Sequence, residues 1–410
     1  MESEVVSVLV MTSTYPLSDN DTLPPFVKNL TEELSLAGDM LLTVLTPSAP
    51  GAAAEQYIEG VRVLRYRYCF SKWETLAYGG GILANLKANK LKYLLVPLFI
   101  MGQILATVRL LHKEKFDLIH AHWILPQGAV AALSKKILAK NIPFLVTSHG
   151  ADLFSLNGFL GRLLKRWTLE NADMVTVVSK NMKNVCANEF AVPDGKVQIF
   201  PMGVDLSSMF TASHAALRDE FGVVFVGRLV EKKGVEYLIE SFETVLQSEA
   251  RAKLTIVGDG PLASVLKMQV HDLGLSKHVV FVGAVRNSEI PEILRSQSIA
   301  VVPSVVGQDG DQEGLGLTSV EAMGCGCAVV ASDLPAIRDV VENGKTGILV
   351  PEKNSEKLAD AILMLICNQQ LRDGLAYAGR ASVFSKFDWK VVVENYRCLL
   401  NRLASESKES

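Results

Sequence analysis

The sequence predicts an α/β protein made of two doubly wound parallel sheets in tandem, and three observations carry that expectation. At 410 residues the chain is longer than one ordinary hydrophobic core accommodates. Short, nearly continuous apolar runs rich in β-branched residues alternate with helix-length segments throughout, as strands covered on both faces require. The rhythm runs through twice, on either side of a polar stretch at 202–222, MGVDLSSMFTASHAALRDEFG, which lacks a strand pattern. With 49% hydrophobic and 21% charged residues the composition is that of a globular chain, not a disordered one. A formal net charge of −3 gives no reason to expect a nucleic-acid partner.

The N-terminus, MESEVVSVLVMTSTYP, begins acidic and passes directly into the strand VSVLVMT. Having no basic n-region, it reads as a strand and not as a signal peptide. The helical segment PPFVKNLTEELSLAG follows, then the strands LLTVLT (41–46), VRVLRYRY (61–68), DLIHAH (117–122), PFLVTS (143–148), MVTVVS (174–179) and VQIFP (197–201). Parallel strands joined this way form right-handed βαβ units. The second series is VVFVG (223–227), KLTIVG (253–258), HVVFVG (278–283), IAVVPS (299–304), AVVAS (328–332) and GILVP (347–351). Three of these strands end in glycine, where the backbone must turn sharply. A final helix, WKVVVENYRCLLNRLA (389–404), follows the second sheet, with a polar tail after it. The expected division is 1–205, 206–385, a last helix at 386–404 and a tail at 405–410.

Tyr93 to Val108 carries no charge and lies between Lys92 and Arg109. It falls short of the ~18–20 apolar residues a spanning helix needs, and it contains Pro97, Gly102 and Gln103. The favoured reading is a buried helix of the first domain. The sharper reading, prompted by Lys87, Lys90 and Lys92 just upstream, is an interfacial patch resting on an anionic membrane.

Six cysteines are scattered without a C-x-x-C pair or a Cys/His spacing that fits zinc. Cys325 and Cys327 read as small buried residues, and a reducing, cytoplasmic setting is expected.

The strongest local motif runs from Glu313 to Glu321, EGLGLTSVE, between a strand ending at Pro303-Ser304 and a helix starting around Leu315 to Thr318. Open amides at a helix start bind phosphate. Gly314 and Gly316 allow close approach of a ligand, and carboxylates suit vicinal hydroxyl donors. Read alone, the same pair is a helix-dipole acid and a helix-face Glu. A second motif, Gly227-Arg228-Leu-Val-Glu-Lys-Lys233-Gly234, follows a strand end, where ligands of open α/β sheets bind. Arg228 and Lys233 there suit a pyrophosphate; alone, such a loop is more often just solvated surface. A third, Ser148-His149-Gly150-Ala-Asp152, occupies a strand end in the first half, as does His120-Ala-His122-Trp123. His120 and His122 are expected on opposite faces of their strand, and without a third ligand no metal is assigned. Asp309 and Asp311 form a D-x-D pair that can hold a divalent cation, but acidic Gly-rich loops are common turn chemistry, so no metal or cofactor is expected. The stretch after HVVFVG, Ala284-Val285-Arg286, could border a nucleobase.

Together and in this order, GRLVEKKG, VGDGP, EGLGLTSVEAMGCG and NGKTGILVP, with DLIHAHW, TSHGADLF and ADMVTVVS before them, resemble glycosyltransferase family 4 of the GT-B fold. The resemblance covers nearly the whole chain and is strongest in the second half. It implies two facing Rossmann-like domains, the last helix crossing back to the first, and a retaining transfer from a nucleotide-diphosphate sugar. In such enzymes Arg228 and Lys233 would contact the diphosphate, Glu313 the transferred sugar and Glu321 the ribose. Amides of Leu315, Gly316, Leu317 and Thr318 would serve sugar and phosphate, beside Gly227, Gly314 and Val285. His149 would lie near the reacting sugar and acceptor, and His149, Arg228, Lys233 and Glu313 would carry the chemistry. One departure stands out. Many relatives carry a Gly-Gly loop after the first strand, whereas Tyr15 to Phe26 here contains no glycine.

The expected partners are a UDP- or GDP-sugar and a glycan or glycolipid acceptor in surface polysaccharide or glycolipid synthesis, at the inner face of a membrane. A sugar-nucleotide epimerase and a non-catalytic nucleotide-sugar-binding protein are the alternatives. An NAD-type oxidoreductase is disfavoured, because no G-x-G-x-x-G follows the first strand.

Overall fold

The computed structural model describes residues 5–17, 26–79, 81–212, 218–308 and 310–409, with side chains for all but 83 and 407–409. The chain divides into two compact units. Unit 1 comprises Met1–Val178, Met182–Phe200 and Val393–Ser410; unit 2 comprises Ser179–Asn181 and Pro201–Val392.

Unit 1 is built on strands β1 (Val6–Met11), β2 (Met40–Pro47), β3 (Glu55–Ile58), β4 (Val61–Tyr66), β5 (Leu118–His122), β6 (Phe144–Ser148), β7 (Met174–Val177) and β8 (Val197–Ile199). They form one sheet in the order β3-β4-β2-β1-β5-β6-β7-β8. All pairs are parallel except β3 with β4, an edge hairpin the apolar pattern did not reveal. Val8 to Met11 and the whole of β5 and β6 are buried, which is why these strands read as continuous apolar runs. The strand order reverses between β1 and β5, the topological switch point of this sheet.

The final helix, Trp389–Glu409, extends through the stretch expected as a tail. From Val393 it belongs to unit 1. Arg397 and Asn401 both donate to Asp39 Oδ2, at 2.8 and 3.1 Å. Buried Tyr396 packs on Phe200 and stacks on His120, with ring centroids 5.0 and 5.7 Å away.

The helix Leu95–Lys113 corrects the favoured sequence reading. Only 28% of its apolar stretch is buried. It buries Phe99, Gln103, Thr107, Leu110 and Leu111 within unit 1, while Leu94, Leu98, Met101 and Leu105 face outward. A helix covering one face of a sheet needs only a stripe of contact, so an apolar sequence on all sides does not imply burial on all sides.

Unit 2 contains β9 (Asp219–Val226), β10 (Lys253–Val257), β11 (Val279–Gly283), β12 (Gln297–Val302), β13 (Ala328–Ser332) and β14 (Ile348–Val350). They form an all-parallel sheet in the order β11-β10-β9-β12-β13-β14. Its core joins Phe225, Ile256 and Val301 of the strands to Phe242 and Ile362 of the covering helices. β9 starts inside the stretch that showed no strand pattern: Asp219 pairs with Gln297, and a register shift then carries the ladder to Val223 and Ile299. An irregularity of this kind breaks the apolar periodicity that reveals strands. All six cysteines are free, and Cys325 and Cys327 are buried. Where the chain enters and leaves unit 2, Val204 bridges Asp388. Gly203 lies so close to the Trp389 ring that a Cβ would meet it at 2.3 Å.

Candidate functional site

In unit 2 the strand order reverses between β9 and β12, so ligand chemistry is expected beyond the carboxyl ends of those two strands. The loops that follow them are Gly227–Gly234 and Pro303–Gly316, and they are fastened together. Val305 N donates to Lys232 O (2.8 Å), Gln308 N to Glu231 Oε1 (3.1 Å), and Lys232 pairs with Asp311 at 3.1 Å. Gly234 adopts φ +59 with Pro303 O where a Cβ would stand (2.1 Å), so no larger residue fits the join. Gly258, ending β10, presses on Gly227 in the same way: a Cβ there would lie 1.9 Å from Gly227 O. The glycines of VGDGP and GRLVEKKG therefore fix how closely two strand ends approach.

Beyond this join the helix Leu317–Gly324 begins at Gly316, which is left-handed (φ 81, ψ 50) and supplies no side-chain cap. The amides of Gly314, Leu315, Gly316, Leu317 and Thr318 donate to no described residue. Such a run of open N–H groups at a helix start carries partial positive charge. Lys233 Nζ sits 2.7 Å from Glu313 Oε1 just before it. That oxygen is buried without a well-aligned hydrogen bond, so the contact is an ion pair. Burial pushes the Glu313 carboxyl up, but Lys233 and Lys232 outweigh it and hold the group below its ordinary range. Glu321, in the second turn of the helix, has only the distant pull of Lys233 against burial, and its pKa rises to about 7. The two carboxylates thus differ in kind: one is locked ionised, the other is poised between forms. Arg228 is exposed at the end of β9 and pairs with no described residue.

At the carboxyl edge of unit 1, His149 follows β6 and is held by Asp152. That carboxylate accepts from Ser148 Oγ (2.9 Å), from the His149 amide (3.2 Å) and from the Ile124 amide (2.7 Å). The His149 ring packs on Phe26 and Trp123, with centroids at 4.6 and 5.2 Å, and its Nε2 lies 3.0 Å from His122 Nδ1. Burial, with a smaller push from His120, lowers its pKa to about 3, so the imidazole is neutral. The His120 and His122 rings lie 4.2 Å apart, tilted by 36°, on one face of β5. The expectation of opposite faces fails because strand side chains alternate, so residues two apart share a face.

The structure thus brings together Gly227, Lys233, Glu313 and the 314–318 amides, with Arg228 at the same strand end and Glu321 under the field of Lys233. Val285 lies partly exposed after β11, an edge strand two places from β9, and makes no described contact with them. Sequence reasoning passed over Ser304 and Ser319, whose hydroxyls are buried at the end of β12 and the start of the helix without a hydrogen-bond partner among the described residues. Their signal was position alone: one ends IAVVPS, the other opens the helix. Among the described residues no group of three His, Cys, Asp or Glu is arranged to hold a metal. Asp309 lies outside the described residues, as does 18–25 of the loop without glycine. What is described of that loop is pinned: Arg65 donates to Pro16 O (2.8 Å), and Tyr15 meets Thr31 Oγ1 at 2.9 Å.

The sequence profile described as Glycosyl transferases group 1 matches residues 210–382, and that described as Glycosyltransferase Family 4 matches 26–208. An uncharacterised glycosyltransferase of Methanocaldococcus jannaschii is 30% identical over 296 residues, 72% of this chain and 78% of the relative. A GDP-mannose-dependent alpha-(1-6)-phosphatidylinositol monomannoside mannosyltransferase of Mycobacterium tuberculosis is 28% identical, covering 66% of this chain and 73% of its own. Among solved structures, the Anabaena HepE protein crystallised with UDP superposes with a TM-score of 0.71 at 19% identity, over 97% of this chain and 100% of its own, a likeness of fold. Two parallel α/β units, open amides and a lysine at the second sheet's switch point, and these matches lead to one conclusion: the chain belongs to glycosyltransferase family 4 and is a glycosyltransferase of the GT-B fold.

Proposed function

We propose that the protein is a retaining hexosyltransferase that takes a sugar from a UDP- or GDP-sugar and passes it to a hydroxyl of a glycan acceptor, in surface polysaccharide or glycolipid synthesis on the cytoplasmic face of a membrane. The observation that carries the donor half is the run of unpartnered amides from Gly314 to Thr318 beside Lys233. Five open N–H groups at a helix start, with an ammonium beside them, suit a diphosphate. A mycobacterial relative whose name specifies GDP-mannose and phosphatidylinositol monomannoside supports the lipid-linked class.

Arg228, Lys233 and the helix start bind the diphosphate, Glu313 accepts from hydroxyls of the transferred sugar, and Glu321 accepts from the ribose. As the glycosidic bond breaks, the bonding pair moves onto the diphosphate, where Lys233, Arg228 and the amides stabilise the growing charge. The acceptor oxygen attacks on the face the diphosphate leaves, and its proton passes to a diphosphate oxygen. Neither glutamate acts as a general base. Neutral His149 serves the reacting sugar and acceptor as a hydrogen-bonding group.

Thermal-shift measurements against UDP, GDP and their sugars test this reading. One nucleotide should raise the melting temperature of the wild type, and Lys233→Ala or Arg228→Ala should abolish the rise. The NMR coupling of the product's anomeric proton then reports retention. Stabilisation by no nucleotide, or equal stabilisation of both variants, overturns the donor assignment.

A further inference from the structure

The helix Leu95–Lys113 is apolar on its outward side as well as on its buried one, where Phe99, Leu110 and Leu111 pack. It buries Gln103 and Thr107 and leaves the side-chain amide of Gln103 without a hydrogen-bond partner. Outward it turns Leu94, Leu98, Met101 and Leu105, with Leu94 at 75% and Met101 at 54% exposure. A soluble helix with polar residues to spare arranges them the other way round. The apolar stripe continues onto the turn Ser71–Trp73: Phe70 and Trp73 are 76% and 61% exposed, with ring centroids 5.9 Å apart. Turn and helix form one surface. Tyr68 packs on Phe99 at 5.2 Å, Gly102 leaves no room for a Cβ against Arg67 O (2.9 Å), and Lys92 Nζ donates to Thr75 O (3.1 Å). An apolar face of this size on a folded unit marks an interaction site.

Charge identifies the occupant. Residues 67–113 carry seven Lys or Arg and one acid, in a chain of net charge −3. The acid, Glu74, is wholly buried and paired with Arg67 at 2.9 Å. Lys72, Lys87, Lys90, Arg109 and Lys113 are exposed around the stripe. Exposed aromatics, aliphatic side chains and an excess of cations over acids in this segment match the interface of an anionic bilayer, where apolar groups enter the acyl boundary and ammonium groups meet headgroup phosphates. The opposite face packs inside unit 1 through Phe99 and Leu111, so a bilayer could meet the helix only along its outward side.

We infer that the face formed by Leu94, Leu98, Met101, Leu105, Phe70 and Trp73 docks unit 1 onto an anionic lipid surface. This rests on unit 1 alone and stands or falls separately from the donor assignment in unit 2.

The full chain, without nucleotide, is sedimented with vesicles of phosphatidylcholine and of phosphatidylcholine with phosphatidylglycerol. The wild type should pellet with the anionic vesicles, less so as salt rises. The variant Leu94→Glu/Leu98→Glu/Met101→Glu should lower the bound fraction about tenfold, as should Lys72→Glu/Lys90→Glu, with about the same loss. Both keep the nucleotide-induced thermal shift, which separates lost docking from a lost donor site. Should the triple variant fail to fold, Leu94→Glu and Met101→Glu singly give the same readout at smaller size. A wild type that stays in the supernatant with both vesicles, or variants that pellet as it does, overturns the inference. So does a lipid-free dimer that the triple variant dissolves, because the face then belongs to a second copy of the chain.

Discussion

The two sheets end in opposite chemistry. At the switch point of unit 2 stand an ion pair, an unpaired arginine and five open amides, all suited to an anion. At the corresponding edge of unit 1 stand stacked, buried imidazoles held neutral by desolvation, with Asp152 spending its oxygens on backbone and serine donors. One sheet topology thus builds a charged edge and a neutral one. The difference lies in the residues at the strand ends: glycines and lysines leave the backbone accessible and charged, whereas histidines and aromatics pack ring against ring.

Breaking the charged edge should have the largest effect. Lys233→Ala is expected to lower kcat about 10²–10³-fold, the range seen when one preorganised donor to a developing anion is removed. The melting temperature should fall as well, because buried Glu313 loses the cation that holds it ionised, so rates are compared at temperatures where both proteins stay folded. Wild-type transfer rates in this variant would end the assignment of Lys233 to the leaving group.

Next in size is the join beneath that edge. Gly258→Ala puts a Cβ 1.9 Å from Gly227 O, a backbone atom that cannot swing aside. We expect a loss of about 2–4 kcal/mol in urea unfolding, while Gly274→Ala, strained in backbone (φ +70) but with open space around its Cβ, should cost less.

His149→Ala sharpens the comparison from the neutral side. Turnover should fall roughly tenfold, the order of a lost neutral hydrogen bond, with the nucleotide-induced thermal shift intact. Loss of nucleotide binding would contradict the division of labour.

The smallest expected effect is a pH dependence. Glu321 has a folded pKa of about 7 against an ordinary value of 4.5. Its carboxyl therefore favours the folded state fully below the ordinary value, and that contribution is lost as pH rises through about 7. Glu321→Gln should match the wild type in melting temperature at low pH and exceed it by a few degrees above the folded pKa. Parallel curves for the two proteins would rule out the shift.

Much of this was legible from residue patterns. Continuous apolar runs such as FLVTS and AVVAS announced buried parallel strands, and strand-end glycines and lysines announced the candidate site. The failures have separate causes. His120 and His122 were misplaced by an error in strand alternation, and β3 and the start of β9 were missed because an edge hairpin and a register shift leave little periodic trace. Lys165, which no sequence motif singles out, is fully buried, donating to Leu153 O at 2.7 Å and Ser155 O at 2.9 Å.

By itself the sequence determined the class of fold, the number of sheets and which strand ends bear chemistry, because backbone pairing and burial impose local periods that residue types must obey. Tertiary structure alone decided which of two similar glutamates is locked ionised, how the glycines press strand ends together, and that the most apolar helix of unit 1 turns its apolar side out. Those outcomes depend on neighbours distant in sequence: Lys233 beside Glu313, Gly227 against Gly258, and a sheet that covers only one face of Leu95–Lys113.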